Sequence, residues 1–183
     1  MLEGTAALAQ FRKTPGPEWN HRALTAFQRA MALADPNSAT EWQAWTEAAV
    51  SAASVLHDLA RYAEAEPLLR NSLRLMEVNG GPNSPGVAVI LNNLARLLQA
   101  TNRLSEAEPL LRRALAIFER SHGPDHPYVA TDLDNLAELL LATNRLREAE
   151  PLFRRALAIR ERSYGPDHPD VARALNNLSL IHI

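Results

Sequence analysis

An all-α solenoid, built by stacking copies of one helix pair, is the fold that this chain predicts, and three observations carry the prediction. The segment Ala-Glu-Pro-Leu-Leu/Phe-Arg occurs at Ala65–Arg70, Ala107–Arg112 and Ala149–Arg154, each copy 42 residues after the last. The pair Asn-Leu recurs in the same step at Asn93-Leu94, Asn135-Leu136 and Asn177-Leu178. Around these words run two helical stripes per period, and a unit of this length holding two helices buries its apolar face only by stacking on its neighbours.

The first stripe is Leu91, Leu94, Ala95 and Leu98, spaced i, i+3, i+4, i+7 on one helix face. It recurs at Leu133, Leu136, Ala137 and Leu140, then at Leu175, Leu178 and Ser179. The second stripe is Ala107, Leu110, Leu111, Ala114 and Ile117, matched by Ala149, Leu152, Phe153, Ala156 and Ile159. Its small residues leave room for a neighbouring backbone while Leu111 and Phe153 fill the adjoining space, as close antiparallel helices require.

Short polar turns, Thr101-Asn102-Arg103 and Thr143-Asn144-Arg145, separate the two helices of a unit. Asn tolerates the left-handed conformation that ends a helix. Pro67, Pro109 and Pro151 are expected near the first turn of the second helix, where a missing N–H costs little. Between units lie Ser121–Pro127 and Ser163–Pro169, in which Gly123 and Gly165 suit the position past a helix end and Asp125 and Asp167 suit the next helix start. Pro127 and Pro169 then open the following helix. The earlier copy, Gly81-Pro82-Asn83-Ser84-Pro85, offers Asn83 and Ser84 as caps.

The register continues upstream. Ala23, Phe27, Ala30 and Leu33 align with Ala149, Phe153, Ala156 and Ile159 three periods on, so His21–Ala34 reads as a degenerate second helix. Asp35-Pro36-Asn37-Ser38 is its linker, and Ser38-Ala39-Thr40-Glu41 has the form of a capping box. Thr14-Pro15-Gly16-Pro17 is a break, with a short helix expected before it in residues 1–13. At the other end Pro169–Ile183 is a first helix whose pairing helix is absent, and His182 stands where Leu98 and Leu140 stand. Leu-Ile-His-Ile is no polar capping end, so the chain is expected to be a fragment of a longer array. The expected organisation is an N-terminal segment 1–20, degenerate repeat helices 21–60, and units 61–102, 103–144 and 145–183.

Composition narrows the function. Hydrophobic residues are 46% of the 183, aromatics only 5%, so the core is mostly Leu and Ala. A formal charge of −2 lacks the basic surplus of a general nucleic-acid or anionic-membrane binder. Without cysteine, neither a disulfide framework nor a thiolate metal site is available. There is no apolar run long enough for a bilayer, and the start, with Glu3, lacks a signal peptide's charge pattern. A cytoplasmic protein is the expectation.

These words resemble the tetratricopeptide repeat (TPR) family, in the 42-residue form found in kinesin light chains and many bacterial multidomain proteins. The matching words are Leu-Asn-Asn-Leu-Ala at 91–95, Glu-Ala-Glu-Pro-Leu at 106–110 and 148–152, Arg-Arg-Ala-Leu-Ala-Ile at 112–117 and 154–159, and Gly-Pro-Asp-His-Pro at 123–127 and 165–169. They cover 61–179 well and 21–60 weakly. Asn102 and Asn144 stand where the family usually has Gly, and Leu91, Leu133 and Leu175 where shorter-repeat relatives have Trp. The resemblance implies a right-handed superhelix of antiparallel helix pairs, with a concave groove lined by each unit's first helix that binds an extended peptide or a helix. Carried over position by position, the groove receives Asn92, Asn93 and Arg96, then Asp134, Asn135 and Glu138, then Arg173, Asn176 and Asn177, with Glu47, Ser51 and Ser54 extending it.

An amide both donates and accepts, so an asparagine ladder suits the backbone of a ligand of any sequence. For Asn93, Asn135 and Asn177, which flank buried leucines, bonds between neighbouring helices are an equal alternative; Asn92 and Asn176 point to the groove, and Asp134 interrupts that ladder. Kinesin light chains read acidic cargo with a basic groove, whereas here Arg96 and Arg173 mix with Asp134 and Glu138. His122, Asp125 and His126 suggest a metal, but three convergent ligands at most, one lost in the copy Tyr164, Asp167, His168, read better as a capping loop. Glu106, Glu108, Glu148 and Glu150 are expected on a solvated face with i,i+4 pairs such as Glu108–Arg112 and Glu150–Arg154, rather than as acid–base pairs. Trp42 and Trp45 suit either binding anchors or a cover for the end of the array. No nucleophile elbow, P-loop or dinucleotide turn is present.

The sequence therefore predicts a non-catalytic scaffold without cofactor or metal that holds a protein or peptide in its concave groove. The alternatives are a sensor or autoinhibitory array from a larger signalling NTPase or transcriptional regulator, and self-association through the exposed C-terminal helix.

Overall fold

The computed structural model describes residues 17–179, with side chains from residue 20 onward. Among them every element is a helix: α1 (Pro17–Leu33), α2 (Trp42–Asp58), α3 (Tyr62–Gly80), α4 (Pro85–Ala100), α5 (Leu104–His122), α6 (Pro127–Ala142), α7 (Leu146–Tyr164) and α8 (Pro169–Ser179). The chain divides into two compact units, Met1–Pro82 and Asn83–Ile183. In the first, α2 packs on both α1 and α3; in the second, each helix packs on the next, and α4 also touches α6. Contacts confined to the next helix and to the matching helix of the next repeat are what a stacked array of hairpins requires.

Both stripes face inward as their spacing demands. Leu91, Leu94, Ala95, Leu98 and their copies Leu133, Leu136, Ala137 and Leu140 are all buried, as are Ala107, Leu111, Ala114 and Ile117 with Ala149, Phe153, Ala156 and Ile159. Each fully buried leucine contributes roughly 1.5–3 kcal/mol over an exposed one. The last copy differs: α8 packs chiefly on α7, and no helix follows it among the described residues, so Leu175 is 49% exposed while its equivalents are sealed. In the degenerate helix the expected stripe is only half right. Phe27 is buried with Leu24, but Ala30 is exposed and Leu33 is 85% exposed, because among the described helices α1 packs on α2 alone. That helix also begins at Pro17, inside the segment expected to precede it. The helix expected in residues 1–13 and the anomalous His182 lie outside the described residues.

The turns follow local chemistry, with three corrections. Asn102 and Asn144 take φ of 59° and 60°, and the N–H groups of Arg103 and Arg145 reach back to Leu98 and Leu140 at 2.8 Å, closing each helix end. Ala60 holds the equivalent site at φ 55°, a conformation that costs a residue with a Cβ roughly 1–2 kcal/mol. Gly81, Gly123 and Gly165 sit past their helices at φ of 90°, 91° and 85°. The first correction concerns Pro67, Pro109 and Pro151. Their helices start directly after the turn, so each proline is the sixth residue, in the second turn, and removes one interior hydrogen bond.

The second correction is that histidine, not aspartate, caps α6. His126 Nδ1 accepts from the Tyr128 N–H at 3.2 Å, and His168 Nδ1 likewise accepts from the Asp170 N–H at 3.1 Å. Asp125 instead pairs with Arg162 at 2.8 Å, on the helix of the following unit. Ser84 occupies the cap position of α4 without a side-chain bond. Third, the capping box does not close. Ser38 Oγ accepts from Thr40 N–H at 3.4 Å, and the Glu41 carboxylate accepts from Asp35 N–H at 2.9 Å, because Glu41 itself is the residue before α2.

On the outer face the expected pairs form: Arg112–Glu108 at 2.8 Å and Arg154–Glu150 at 2.7 Å. Arg145 adds a bond between units, reaching Glu108 at 2.7 Å. Trp42 is buried in the first unit and Trp45 half-buried.

Candidate binding cleft

Helices α4 and α6 are first helices of successive repeats, and the turns of α4, α5 and α6 leave a cleft between them. Positions 85, 89, 92, 93, 96 and 99 follow the helical period, so one face of α4 is presented along its length. The cleft measures about 690 Å³. Leu111, Phe118 and His122 from α5 form its floor and one end, and Tyr128, Thr131, Asp132, Asn135 and Glu138 from α6 face α4. A second, smaller hollow of about 120 Å³ lies between α6 and α8, lined by Thr131, Asp134, Asn135, Glu138, Arg160, Arg173 and Asn177.

Most of the sequence-predicted groove residues therefore come together. Asn92, Asn93, Arg96, Asn135 and Glu138 line the larger cleft, and Asp134, Arg173 and Asn177 join Asn135 and Glu138 at the smaller one. Asn176 lines neither and is exposed on α8. Glu47, Ser51 and Ser54 lie on α2, in the other compact unit.

The asparagines divide by what they touch. Asn92 Nδ2 donates to Asp132 Oδ1 at 2.6 Å, and Asn177 Nδ2 donates to Glu138 Oε1 at 3.4 Å, so both link neighbouring helices. Asn93 and Asn135 are half-buried, line the cleft, and bond no other side chain among the described residues. Their amides remain available to a ligand.

Two acids behave differently from an exposed carboxylate. Asp134, 6% exposed, is not an open groove residue: Arg160 Nη1 lies 2.7 Å from its Oδ2, and both side chains are sealed. Burial pushes the Asp134 carboxyl above its ordinary range, with Arg160 pulling it back. Asp132 is 1% exposed, and burial pushes it up to about 7, with the Asn92 amide as the one opposing influence. Its Oδ2 and the Asn92 Oδ1 are buried without a partner. Glu138, at the rim, is also raised, first by desolvation and then by Asp134.

Sequence reasoning missed Asp132, Arg160 and the aromatic end of the cleft, where His122 and Tyr128 rings meet edge-on at 5.5 Å. A signal was present. Position 132 corresponds to Ala48, Ile90 and Ala174 in the other copies, and position 160 to Met76 and Phe118, so a charge replaces an apolar residue at both. The three polar residues of the capping loop are engaged elsewhere: the His122 and His126 rings meet tilted at 4.7 Å, His126 caps α6, and Asp125 holds Arg162. Among the described residues no helix is long and apolar enough to cross a membrane.

Comparison with known proteins gives the same architecture. The sequence profile of the family described as tetratricopeptide repeat matches residues 46–120, 104–162 and 145–183. No curated protein matches. Among solved structures, the chain is similar to BtubC (BKLC) from P. vanneervenii at 25% identity and a TM-score of 0.81, over 96% of this chain and 69% of that one. It is also similar to a protein of Podosopora anserina described as a kinesin light chain with nearly identical TPR-like repeats, at 19% identity and a TM-score of 0.79, over 98% and 83% of the two chains.

Proposed function

Since the chain belongs to the tetratricopeptide repeat family, whose repeats generally mediate protein–protein interaction, we propose that it is a non-catalytic scaffold holding an extended segment of a partner protein along the faces of α4 and α6. The observation that carries this reading is a cleft of about 690 Å³ flanked by the unengaged amides of Asn93 and Asn135, one repeat apart on successive helices. Amides so placed bond a peptide backbone in either sense, while Val89, Leu111, Phe118 and Tyr128 supply apolar contact for its side chains. Neither amide bonds another side chain among the described residues, which supports their serving a ligand.

The test is a selection of displayed peptides on the intact chain, followed by affinity measurement on the Asn93→Ala, Asn135→Ala double variant. Loss of two hydrogen bonds of roughly 0.5–1.5 kcal/mol each predicts weakening of about tenfold. Unchanged affinity in the double variant, or failure to select any peptide, removes the groove reading.

A further inference from the structure

We propose that the cleft between α4 and α6 receives the side chain of a lysine from the bound partner segment, its ammonium meeting Asp132 and Asn92 at the floor. This rests on the groove reading above and names the chemistry that the groove selects.

The repeat supplies its own control. Ala48, Ile90 and Ala174 occupy the position of Asp132 in the other copies and are 7%, 2% and 1% exposed, so the fold closes this position with an apolar side chain in every other unit. Burying a carboxylate there instead costs several kcal/mol unless something compensates it. Within the chain the compensation is incomplete. Asp132 Oδ1 accepts from Asn92 Nδ2, but Asp132 Oδ2 and Asn92 Oδ1 are both acceptors, both buried and both without a donor. Two orphan acceptors on residues that line the cleft suit a ligand that donates.

The surroundings specify which donor. Val89, Leu111, Phe118 and Tyr128 offer an apolar passage for an aliphatic stem, and aromatic faces favour a cation at its end. The ionisable groups lining the cleft are Asp132, Glu138, Arg96, His122 and Tyr128. A guanidinium prefers to grip both oxygens of a carboxylate in a fork, and Oδ1 of Asp132 is already taken; an ammonium needs only single acceptors. A chain-terminal amine lacks the stem to cross the apolar passage.

The decisive experiment measures binding of the intact chain to pools of short N-acetylated peptides, degenerate in uncharged residues around one fixed centre: Lys, Nε-acetyl-Lys, Arg or Glu. The Lys pool is expected to bind about tenfold more tightly than the acetyl-Lys pool, as for one desolvated cation contact of order 1.4 kcal/mol. Asp132→Asn is expected to erase that advantage while raising the melting temperature, the opposite of what a merely structural residue does. Equal binding of all pools leaves the groove reading standing and ends the lysine proposal; binding of none ends both. The proposal also falls if Arg is preferred, if the Lys advantage survives in Asp132→Asn, or if that variant melts lower. Removing the N-acetyl group should change nothing; a large gain for every pool would reassign the floor to a terminal amine.

Discussion

The pair α4/α6 and the pair α6/α8 present the same repeat positions one period apart, yet the first encloses about 690 Å³ and the second about 120 Å³. Among the positions at which they differ, two carry a buried ion pair. Where the first has Asn92 and Phe118, the second has Asp134 and Arg160. The acid and the guanidinium meet at 2.7 Å with side chains 8% and 3% exposed, so a long side chain from α7 reaches under α6 and fills the floor with a neutralised pair. In the first cleft Phe118 has nothing to offer an acid, and Asp132 is left with an amide. Two carboxylates on one helix, two residues apart, thus meet different partners: Asp134 has a guanidinium against Oδ2 while its Oδ1 has no partner, and Asp132 has an amide on Oδ1 while its Oδ2 has none.

The largest effect should come from Arg160→Phe, which copies Phe118 into the closed site. Stranding Asp134 without its cation is expected to cost about 3–5 kcal/mol in urea unfolding. Adding Asp134→Asn, which completes the imitation of the first cleft, should recover most of that loss because no buried charge remains. A single variant as stable as the parent would erase the distinction between the two sites.

Asp132→Ile, which copies Ile90 into the open site, should act in the other direction. The unfolded state releases the Asp132 proton near pH 4, whereas the folded state holds it to about 7. The folded state therefore binds more protons across that window, and the parent loses stability as pH rises through it. The gain from Asp132→Ile should be near zero at pH 4 and reach at most about 4 kcal/mol by pH 8. Unfolding measured across this range checks it, and a pH-independent difference would show that Asp132 carries no strained charge.

The smallest effect is expected for Asn135→Ala, whose amide borders both sites and bonds neither. Its stability should stay within about 0.5 kcal/mol of the parent. A larger drop would make the ladder structural after all.

Much of the fold was legible before any coordinates, for reasons that are local. Asn102 and Asn144 mark their turns because few other residues tolerate a positive φ, and Gly123 and Gly165 mark helix ends for the same reason. Leu91 and Leu133 declare their inward face by helical spacing alone. Errors began where a choice depended on geometry beyond the next turn. His126 rather than Asp125 caps α6 because Arg162, 37 residues on, claims the aspartate. Ala30 and Leu33 stay exposed because α1 meets only α2.

The sequence by itself determined the period, the helix pairs, the turns and the faces that stack, since each follows from backbone conformation and side-chain spacing within one unit. Only the tertiary structure decided which polar residues are engaged. Asn92 of α4 meets Asp132 of α6 past the whole of α5, and Asp134 of α6 meets Arg160 near the far end of the next helix. Whether a buried acid is balanced depends on the distance to its countercharge in a poorly screening interior, and that distance is a property of packing.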